Sequence, residues 1–391
     1  MRLLVITDHR HWRTPEGVYD TYCFDRAFFD DYRAVFAAVT VAARMRRDAP
    51  PATARRSDGD GVTFLDLPDI QGARWMLTPT RVLLPGLAAA VRSHDAVVAR
   101  LPGRASQAAA ALALRHGKPL MLEIIGDASA SLGLRSHGLA RWLIGQRNAH
   151  AVRRIAARAQ VASYVSERHL QARYPVAPGV PTAAISSIRL DPDTLTPPRA
   201  WPRDPSPLRL VLTASLVPVK NHAFLLAALA ALDGLGRRSW TLDLLGDGPC
   251  RPALEAQARA LGLIDRVVFH GHVSDRSVIT ASLDIADCFV MSSDSEGLPR
   301  AMLEAFARGL PAVGTRVGGI AELLPAADTV APGDVAGFAA LLARAGDAGW
   351  LTQHSLRALA TARDYVGPVL SARRRRLLAA LAALVPAPTI A

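Results

Sequence analysis

Glu296 and Glu304 stand eight positions apart in the segment Ser293-Asp294-Ser295-Glu296-Gly297-Leu298-Pro299-Arg300-Ala301-Met302-Leu303-Glu304. Asp294 and Ser295 are residues of the helix-capping type, Gly297 permits a tight loop, and Pro299 suits a first helical turn. The spacing predicts a helix over 299–308, with Glu296 in the loop before it and Glu304 about two turns inside. The amino end of such a helix offers unpaired N–H groups and a positive dipole end, which together bind phosphate. A ligand with a central diphosphate and a hydroxyl-rich ring at each end fits this arrangement. The amides around Gly297, Leu298 and Pro299 face the diphosphate, and one carboxylate serves each ring. A nucleotide sugar has that form.

The elements that must hold these groups follow from hydrophobic runs. In the second half, apolar runs at 208–214, 241–246, 267–270, 288–292 and 311–314 alternate with helical patterns near 221–236, 249–261, 274–283, 299–308 and 334–345. Short apolar strands between helices predict a parallel sheet covered on both faces, a doubly wound α/β domain over 208–365. The turn Gly246-Asp247-Gly248 closes one strand and opens a helix, where glycine permits close approach to a ligand. The first half repeats the rhythm more loosely. Strands are expected at Leu3–Thr7, Val35–Ala43, Val62–Leu67, Ala96–Ala99, Leu120–Ile125 and Val161–Val165, and helices over 85–93, 105–116 and 139–158. Ligands bind such sheets at the carboxyl ends of strands, which directs attention to the loops after Thr7, Ala99 and Ile125. The loop His9–Tyr19, with Arg13 and Gly17, is a candidate grip for an acceptor, and Asp127 is the polar group nearest the end of the 120–125 strand.

Between the halves, residues 191–207 hold six prolines in seventeen positions. Such a stretch continues neither a helix nor a central strand and reads as a stiff linker between domain 1–190 and the second domain. The tail over 369–385 is predicted helical, with Leu370, Leu377, Leu381 and Leu384 on one side and four consecutive cations at Arg373–Arg376. A basic amphipathic helix can lie on anionic lipid or pack on protein with its cations in water.

A chain of 391 residues, half of them hydrophobic, suits two folded domains rather than global disorder. The formal charge of +12 implies attraction to an anionic partner, whether nucleotide diphosphate, anionic lipid or nucleic acid. Nothing resembling a recognition helix or a base-stacking motif supports nucleic acid. Cys23, Cys250 and Cys288 form neither a disulfide framework nor a zinc pattern, which suggests the reducing cytosol. Met1–Asp8 reads as a buried strand rather than a signal peptide, and no uncharged apolar run approaches membrane-spanning length. Membrane contact is expected to be peripheral, at the inner face. His270-Gly271-His272 lacks a carboxylate cluster, and Asp58-Gly59-Asp60 sits in a polar turn before a strand, so no metal is expected.

The Glu296-x7-Glu304 spacing, followed by Ala305–Val313 and Val317-Gly318-Gly319-Ile320-Ala321-Glu322, resembles the E-x7-E region of retaining glycosyltransferases of family GT4. The similarity is specific over roughly 208–325. It implies the GT-B architecture, two Rossmann-like doubly wound domains with an interdomain cleft, and a C-terminal helix over 366–391 that returns to the first domain. Thr213–Asn221 resembles the family's Gly-Arg-Leu-x-x-x-Lys-Gly stretch, which makes Lys220 the cation on the donor diphosphate, with Ser215 where arginine usually stands and Asn221 beside it. Arg300 or Arg316 then compensates, or Lys220 and backbone amides suffice. Further donor contacts are implied at Gly246, Asp247 and Gly248. By the same resemblance Glu296 holds the sugar hydroxyls and Glu304 the ribose. Asp127 stands near the point where many members carry a histidine, which by the resemblance makes it a catalytic candidate with Glu296 and Lys220. Tyr164-Val165-Ser166-Glu167-Arg168 resembles a strand-to-helix junction of the family and reads as structural capping. The implied activity is metal-independent, configuration-retaining transfer from a nucleotide sugar, UDP- or GDP-linked, to a hydroxyl acceptor on a glycan, a lipid-linked carrier or a small molecule. No cofactor beyond that co-substrate is expected. The same fold also serves epimerases, phosphorylases and enzymes that couple non-sugar rings, and a basic nucleic-acid binder is the reading outside enzymes.

Overall fold

The computed structural model describes residues 1–21, 23–70, 75, 80–129 and 139–387. The chain forms two compact units, Met1–Ser187 with Leu370–Ala391, and Ile188–Val369.

The first unit is built on the strands β1 (Arg2–Thr14), β2 (Gly17–Asp20), β3 (Ala38–Arg46), β4 (Arg55–Arg56), β5 (Val62–Leu67), β6 (Ala96–Leu101), β7 (Leu120–Ile124), β8 (Val161–Tyr164) and β9 (Thr182–Ala184). Its helices include α1 (Thr80–Ser93), α2 (Arg104–Arg115) and α3 (Leu139–Ala156). The parallel core runs β5-β3-β1-β6-β7-β8-β9. β6, β7 and β8 are buried along their whole length, as a sheet with both faces covered requires. The strand order reverses beside β1, between β3 and β6. β1 continues well past the expected Thr7. After a register shift between Ile6 and Arg10 it turns into an antiparallel hairpin with β2. The His9–Tyr19 segment is therefore mostly paired strand rather than an open loop. α1 begins before the expected residue 85 and contains Pro85.

The second unit has six parallel strands, β10 (Leu208–Thr213), β11 (Trp240–Leu245), β12 (Val267–Gly271), β13 (Cys288–Met291), β14 (Ala312–Thr315) and β15 (Thr329–Val330), in the order β12-β11-β10-β13-β14-β15. Its order reverses between β10 and β13. Helices α4 (His222–Gly234), α5 (Arg251–Ala260), α6 (Arg276–Ile285), α7 (Arg300–Ala307), α8 (Val335–Arg344) and α9 (Ala348–Arg363) connect or cover the strands. β15 and α9 were not foreseen. β15 is too short to carry a period, and α9 mixes polar and apolar residues with little sidedness.

The proline-rich stretch 191–207 packs within the second unit. Arg199 donates to the carbonyls of Leu283, Asp284 and Ala286 at the carboxyl end of α6, and to that of Arg308. It thereby satisfies orphaned helix-terminal carbonyls. Trp201 Nε1 donates to Asp287 at 2.9 Å. The last helix, α10 (Gly367–Ala382), contributes Leu377, Leu378 and Leu381 to the core of the first unit beside Leu3, Tyr32 and Val39. Leu384, expected on the same face, is 46% exposed, and Leu378 takes its place. Arg374 and Arg375 both pair with the buried Asp31. Of the four consecutive cations Arg374 is thus turned inward, whereas Arg375 reaches Asp31 from the surface and its side chain stays 55% exposed.

Candidate functional site

In the second unit, the residues of chemical interest gather at the point where strand order reverses. Two loops leave the carboxyl ends of β10 and β13, and hydrogen bonds join them. Asp294 N donates to Val219 O at 2.9 Å, Ser292 Oγ to Lys220 O at 2.9 Å, and Asn221 Nδ2 to Asp294 Oδ1 at 2.9 Å. Asn221 has left-handed backbone geometry at φ +46°, and its Oδ1 caps α4 by accepting from Phe224 N. That conformation suits glycine, with asparagine among the few tolerated alternatives.

Lys220 Nζ and Glu296 Oε1 form a direct ion pair between the two loops, and Ser293 Oγ donates to the same carboxylate oxygen at 2.7 Å. The Lys220 and Glu296 side chains are 24% and 10% exposed, so both are fixed yet reachable. Behind the Glu296 loop lies the turn after β14. Gly319 N donates to Glu296 O at 3.4 Å. A Cβ on Gly318 would fall 1.8 Å from Glu296 O, and one on Gly319 would fall 2.3 Å from Gly297 O. Both glycines are there because no side chain fits between the two backbones.

Pro299 is the residue before α7 rather than its first residue, and no side chain caps that helix end. The cap-type residues Asp294 and Ser295 lie too far upstream to serve it. Asp294 instead binds Asn221. Leu298 and Gly297 are half-buried in the turn between Glu296 and α7. Glu304 is the fifth residue of α7, one turn inside it rather than two, and pairs with Arg276 at 3.1 Å. It lines a cavity of about 280 Å³ with Arg276, Thr280 and Arg308. Ser215 is exposed in the loop after β10. Gly246 and Gly248 press against that loop. Their Cβ atoms would meet Ala214 O at 2.0 Å and Leu216 O at 2.5 Å. The need for glycine at these two positions thus comes from the neighbouring backbone, and Asp247, between them, is exposed. Arg300 opens α7 at the site, whereas Arg316 donates to Thr329 Oγ1 and to the carbonyls of Ala326 and Thr329. His270 pairs with Asp243 at 2.6 Å. Among the described residues there is no cluster of three metal-ligating side chains.

In the first unit, Asp127 accepts from Tyr174 Oη at 2.6 Å and from Ser129 N and Oγ at 2.9 Å, and pairs with Arg173 at 2.8 Å. Burial raises its pKa, but these hydrogen bonds and the cation outweigh it and hold the carboxyl below its usual range. Through these contacts its oxygens shape the 127–129 turn. Arg13 is held by Asp66 and by Phe64 O, and Gly17 closes the β1–β2 hairpin. Arg13 lies in β1 and Gly17 opens β2, so neither sits in the open loop expected for them. Ser166 Oγ accepts from Leu170 N at 2.9 Å.

Comparison with known proteins gives this geometry a family. Residues 207–347 match the model described as Glycosyl transferases group 1. The second unit is a group 1 glycosyltransferase domain. Protein CapJ of Staphylococcus aureus is 21% identical over 355 residues, 88% of this chain and 86% of its own. Anabaena HepE, solved in complex with UDP-glucose, aligns over 97% of this chain and 99% of its own with a TM-score of 0.64 at 18% identity. Sucrose-phosphate synthase from Thermosynechococcus elongatus aligns over 96% and 98% with a TM-score of 0.67 at 16% identity. The fold is GT-B, two parallel-sheet α/β domains, and the family match supports glycosyl transfer as the activity. Sequence reasoning overlooked Ser293 and Asp294 as the groups that fix Glu296 and Asn221. The signal available was their place between the end of a strand and Glu296.

Proposed function

We propose that this protein is a retaining glycosyltransferase that moves a hexosyl group from a nucleoside-diphosphate sugar to a hydroxyl acceptor without a metal ion. The observation that carries this reading is the Lys220–Glu296 pair, held by Ser293 and set between the β10 and β13 loops of a group 1 domain. Strand-order reversal is where open parallel sheets bind ligands. Departure of a nucleoside diphosphate places negative charge on phosphate oxygens, and a fixed cation there lowers the barrier. Lys220 is that cation, and the uncapped amino end of α7 adds N–H groups of the same polarity. The donor diphosphate competes with Glu296 for Lys220 and so frees the carboxylate to accept from sugar hydroxyls. Glu304 accepts from the ribose, and Arg300 supplies a further cation in place of the family arginine at Ser215. The leaving phosphate takes the acceptor's proton on the face it leaves, so anomeric configuration is kept.

A UDP-sugar is the first donor to test, because HepE was solved with UDP-glucose. The decisive experiment is incubation with UDP-, GDP-, ADP- and dTDP-sugars and a panel of hydroxyl acceptors. Released nucleoside diphosphate is measured, and the product's anomeric configuration is read by NMR. Acceptor-dependent release with retained configuration is expected. An inverted product, or donor rearrangement without transfer, refutes the reading.

A further inference from the structure

Helix α3 carries two stripes of opposite character. Gly145, Ala149, Val152 and Ala156 recur at helical spacing and are all buried. They press the helix onto the first unit. A Cβ on Gly145 would lie 2.7 Å from Ser129 O, and the Asn148 amide accepts from Gln107 Nε2 at 2.7 Å and donates to Ala128 O at 2.9 Å. The helix is fixed by these contacts, and so is the face it turns away from the core. Leu143, Arg147, His150 and Arg154 repeat the same spacing on that outer side, and all four are exposed. Arg158 follows in the turn after the helix, also exposed. At the amino end Trp142, Leu143 and Ile144 are consecutive and 42%, 48% and 49% exposed. Single exposed apolar residues are ordinary, but three adjacent large ones that include a tryptophan mark a contact surface.

The charge beside them has one sign. From Ala128 to Ser166 the sequence holds six arginines and no aspartate or glutamate. Among the described residues no carboxylate pairs with Arg147, Arg154 or Arg158. The combination selects the partner. A second copy of the chain would set the same arginines against each other. An acidic macromolecule would match the arginines but leave Trp142, Leu143 and Ile144 without an apolar counterpart. An anionic bilayer answers both, with phosphates for the arginines and the upper acyl region for the apolar side chains, and a tryptophan ring is suited to the level between them. We propose that the outer face of α3, from Trp142 to Arg158, is a docking surface for an anionic lipid bilayer. Trp142, Leu143 and Ile144 enter the headgroup boundary, and Arg147, Arg154 and Arg158 lie on the phosphate layer. Nothing in this surface depends on the transferase reading.

The test is flotation of the full-length chain with vesicles of phosphatidylcholine alone and of phosphatidylcholine and phosphatidylglycerol in equal parts. Wild type is expected to bind the anionic vesicles and to bind the neutral ones far more weakly. An arginine near an anionic surface contributes about 1 kcal/mol, a factor of about five. Arg147→Gln/Arg154→Gln/Arg158→Gln is therefore expected to lose about a hundredfold in affinity. Arg203→Gln/Arg237→Gln/Arg363→Gln removes three exposed arginines of the second unit and makes the same change in net charge. It is expected to stay within about threefold of wild type, since the field of the lipid falls off within a Debye length. Trp142→Ser/Leu143→Ser/Ile144→Ser is expected to lose about tenfold or more through the apolar area it no longer buries. A second measurement needs no disruptive substitution. Brominated lipid is expected to quench the tryptophan emission of wild type, which has six tryptophans, and to quench Trp142→Phe much less. No flotation of wild type on anionic vesicles overturns the proposal, as does wild-type affinity in both α3 triple variants, or equal quenching in Trp142→Phe and wild type. Binding that the serine variant keeps in full and that about 1 M salt abolishes is purely electrostatic, the mark of an acidic macromolecule as partner, and overturns it too. So does a dimer in lipid-free solution that the serine variant dissociates, which assigns the face to a second copy.

Discussion

Replacing Gly318 with alanine tests whether the Glu296 loop works because the turn behind it lets it sit where it does. Gly318 has φ +43°, and the added Cβ would lie 1.8 Å from Glu296 O and 2.9 Å from Glu296 C. Ordinary contact begins near 3.4 Å, so the Glu296 peptide must retreat by about 1.6 Å or the glycine turn must open. The atoms in conflict are backbone, and no rotamer change relieves them. A left-handed alanine alone costs about 1–2 kcal/mol. A reacting group misplaced by about 1 Å can lose about a hundredfold in rate, roughly 2.7 kcal/mol of barrier. Gly318→Ala is therefore expected to lower turnover by about a hundredfold or more and to lower Tm. Gly333→Ala is the control. It has φ +86° but nothing within 4 Å of the new Cβ. It bears the backbone cost alone, a fall of about 2–8 °C in Tm at this domain size, with turnover unchanged. The assay is nucleoside-diphosphate release from the best donor, beside calorimetric Tm. If Gly318→Ala keeps turnover within threefold of wild type and loses no more Tm than Gly333→Ala, the glycine turn does not position Glu296 and the reasoning fails.

Lys220→Ala and Glu296→Gln should each cut turnover by about a hundredfold with small changes in Tm. The double variant should lose less than the product of the two, because the pair acts as a unit, and strict multiplicativity would separate the residues. Acid should destabilise the fold through His222, which burial, with a smaller contribution from nearby Lys220, lowers to about 4. The unfolded chain takes up that proton near pH 6.5 and the folded one near 4, so stability falls as pH drops through this window, by about 2 kcal/mol at pH 5. Urea unfolding at pH 7.5 and 5 should show this loss reduced in His222→Gln, and an unchanged pH dependence would remove His222 as its cause. Asp127→Asn should cost several degrees of Tm and leave donor turnover near wild type. A large loss of turnover at unchanged Tm would restore Asp127 to the catalytic set.

The parallel strands of both units were readable because each is a short apolar run between helical patterns, as at Leu208–Thr213 and Leu120–Ile124. What escaped was structure with no local period. β2 and β4 are short strands whose pairing depends on β1 extending past its bulge. The 191–207 stretch looks like a linker by its prolines, yet Arg199 anchors it by reaching four carbonyls distant in sequence. The site shows the same division. The spacing of Glu296, Lys220 and the glycines marks the loops that strand order then brings together. Of the contacts that hold Asp127, those from Arg173 and Tyr174 were not legible, because both residues lie far along the chain. At Gly246, Gly248, Gly318 and Gly319 a side chain is excluded by protein backbone from neighbouring loops, which the local spacing does not reveal.

The two points of strand reversal share a topology and differ in electrostatics, and that difference bears on where a diphosphate goes. In the first unit the amino end of α2 is closed by the protein's own carboxylate: Asp8 takes two backbone N–H groups of that helix, and Gly103 leaves no room beside it. A phosphate arriving there meets a carboxylate already in place on those amides. In the second unit the amino end of α7 carries no side-chain cap, and the nearest carboxylate, Glu296, is paired with a lysine that an incoming diphosphate can recruit. The first arrangement leaves a phosphate no place at that helix end. The second favours a diphosphate held by helix and lysine together, with a carboxylate released for the sugar. One fold, used twice, thus supports two distinct roles through the choice of residue at two strand ends, Asp8 after the core of β1 and Lys220 after β10.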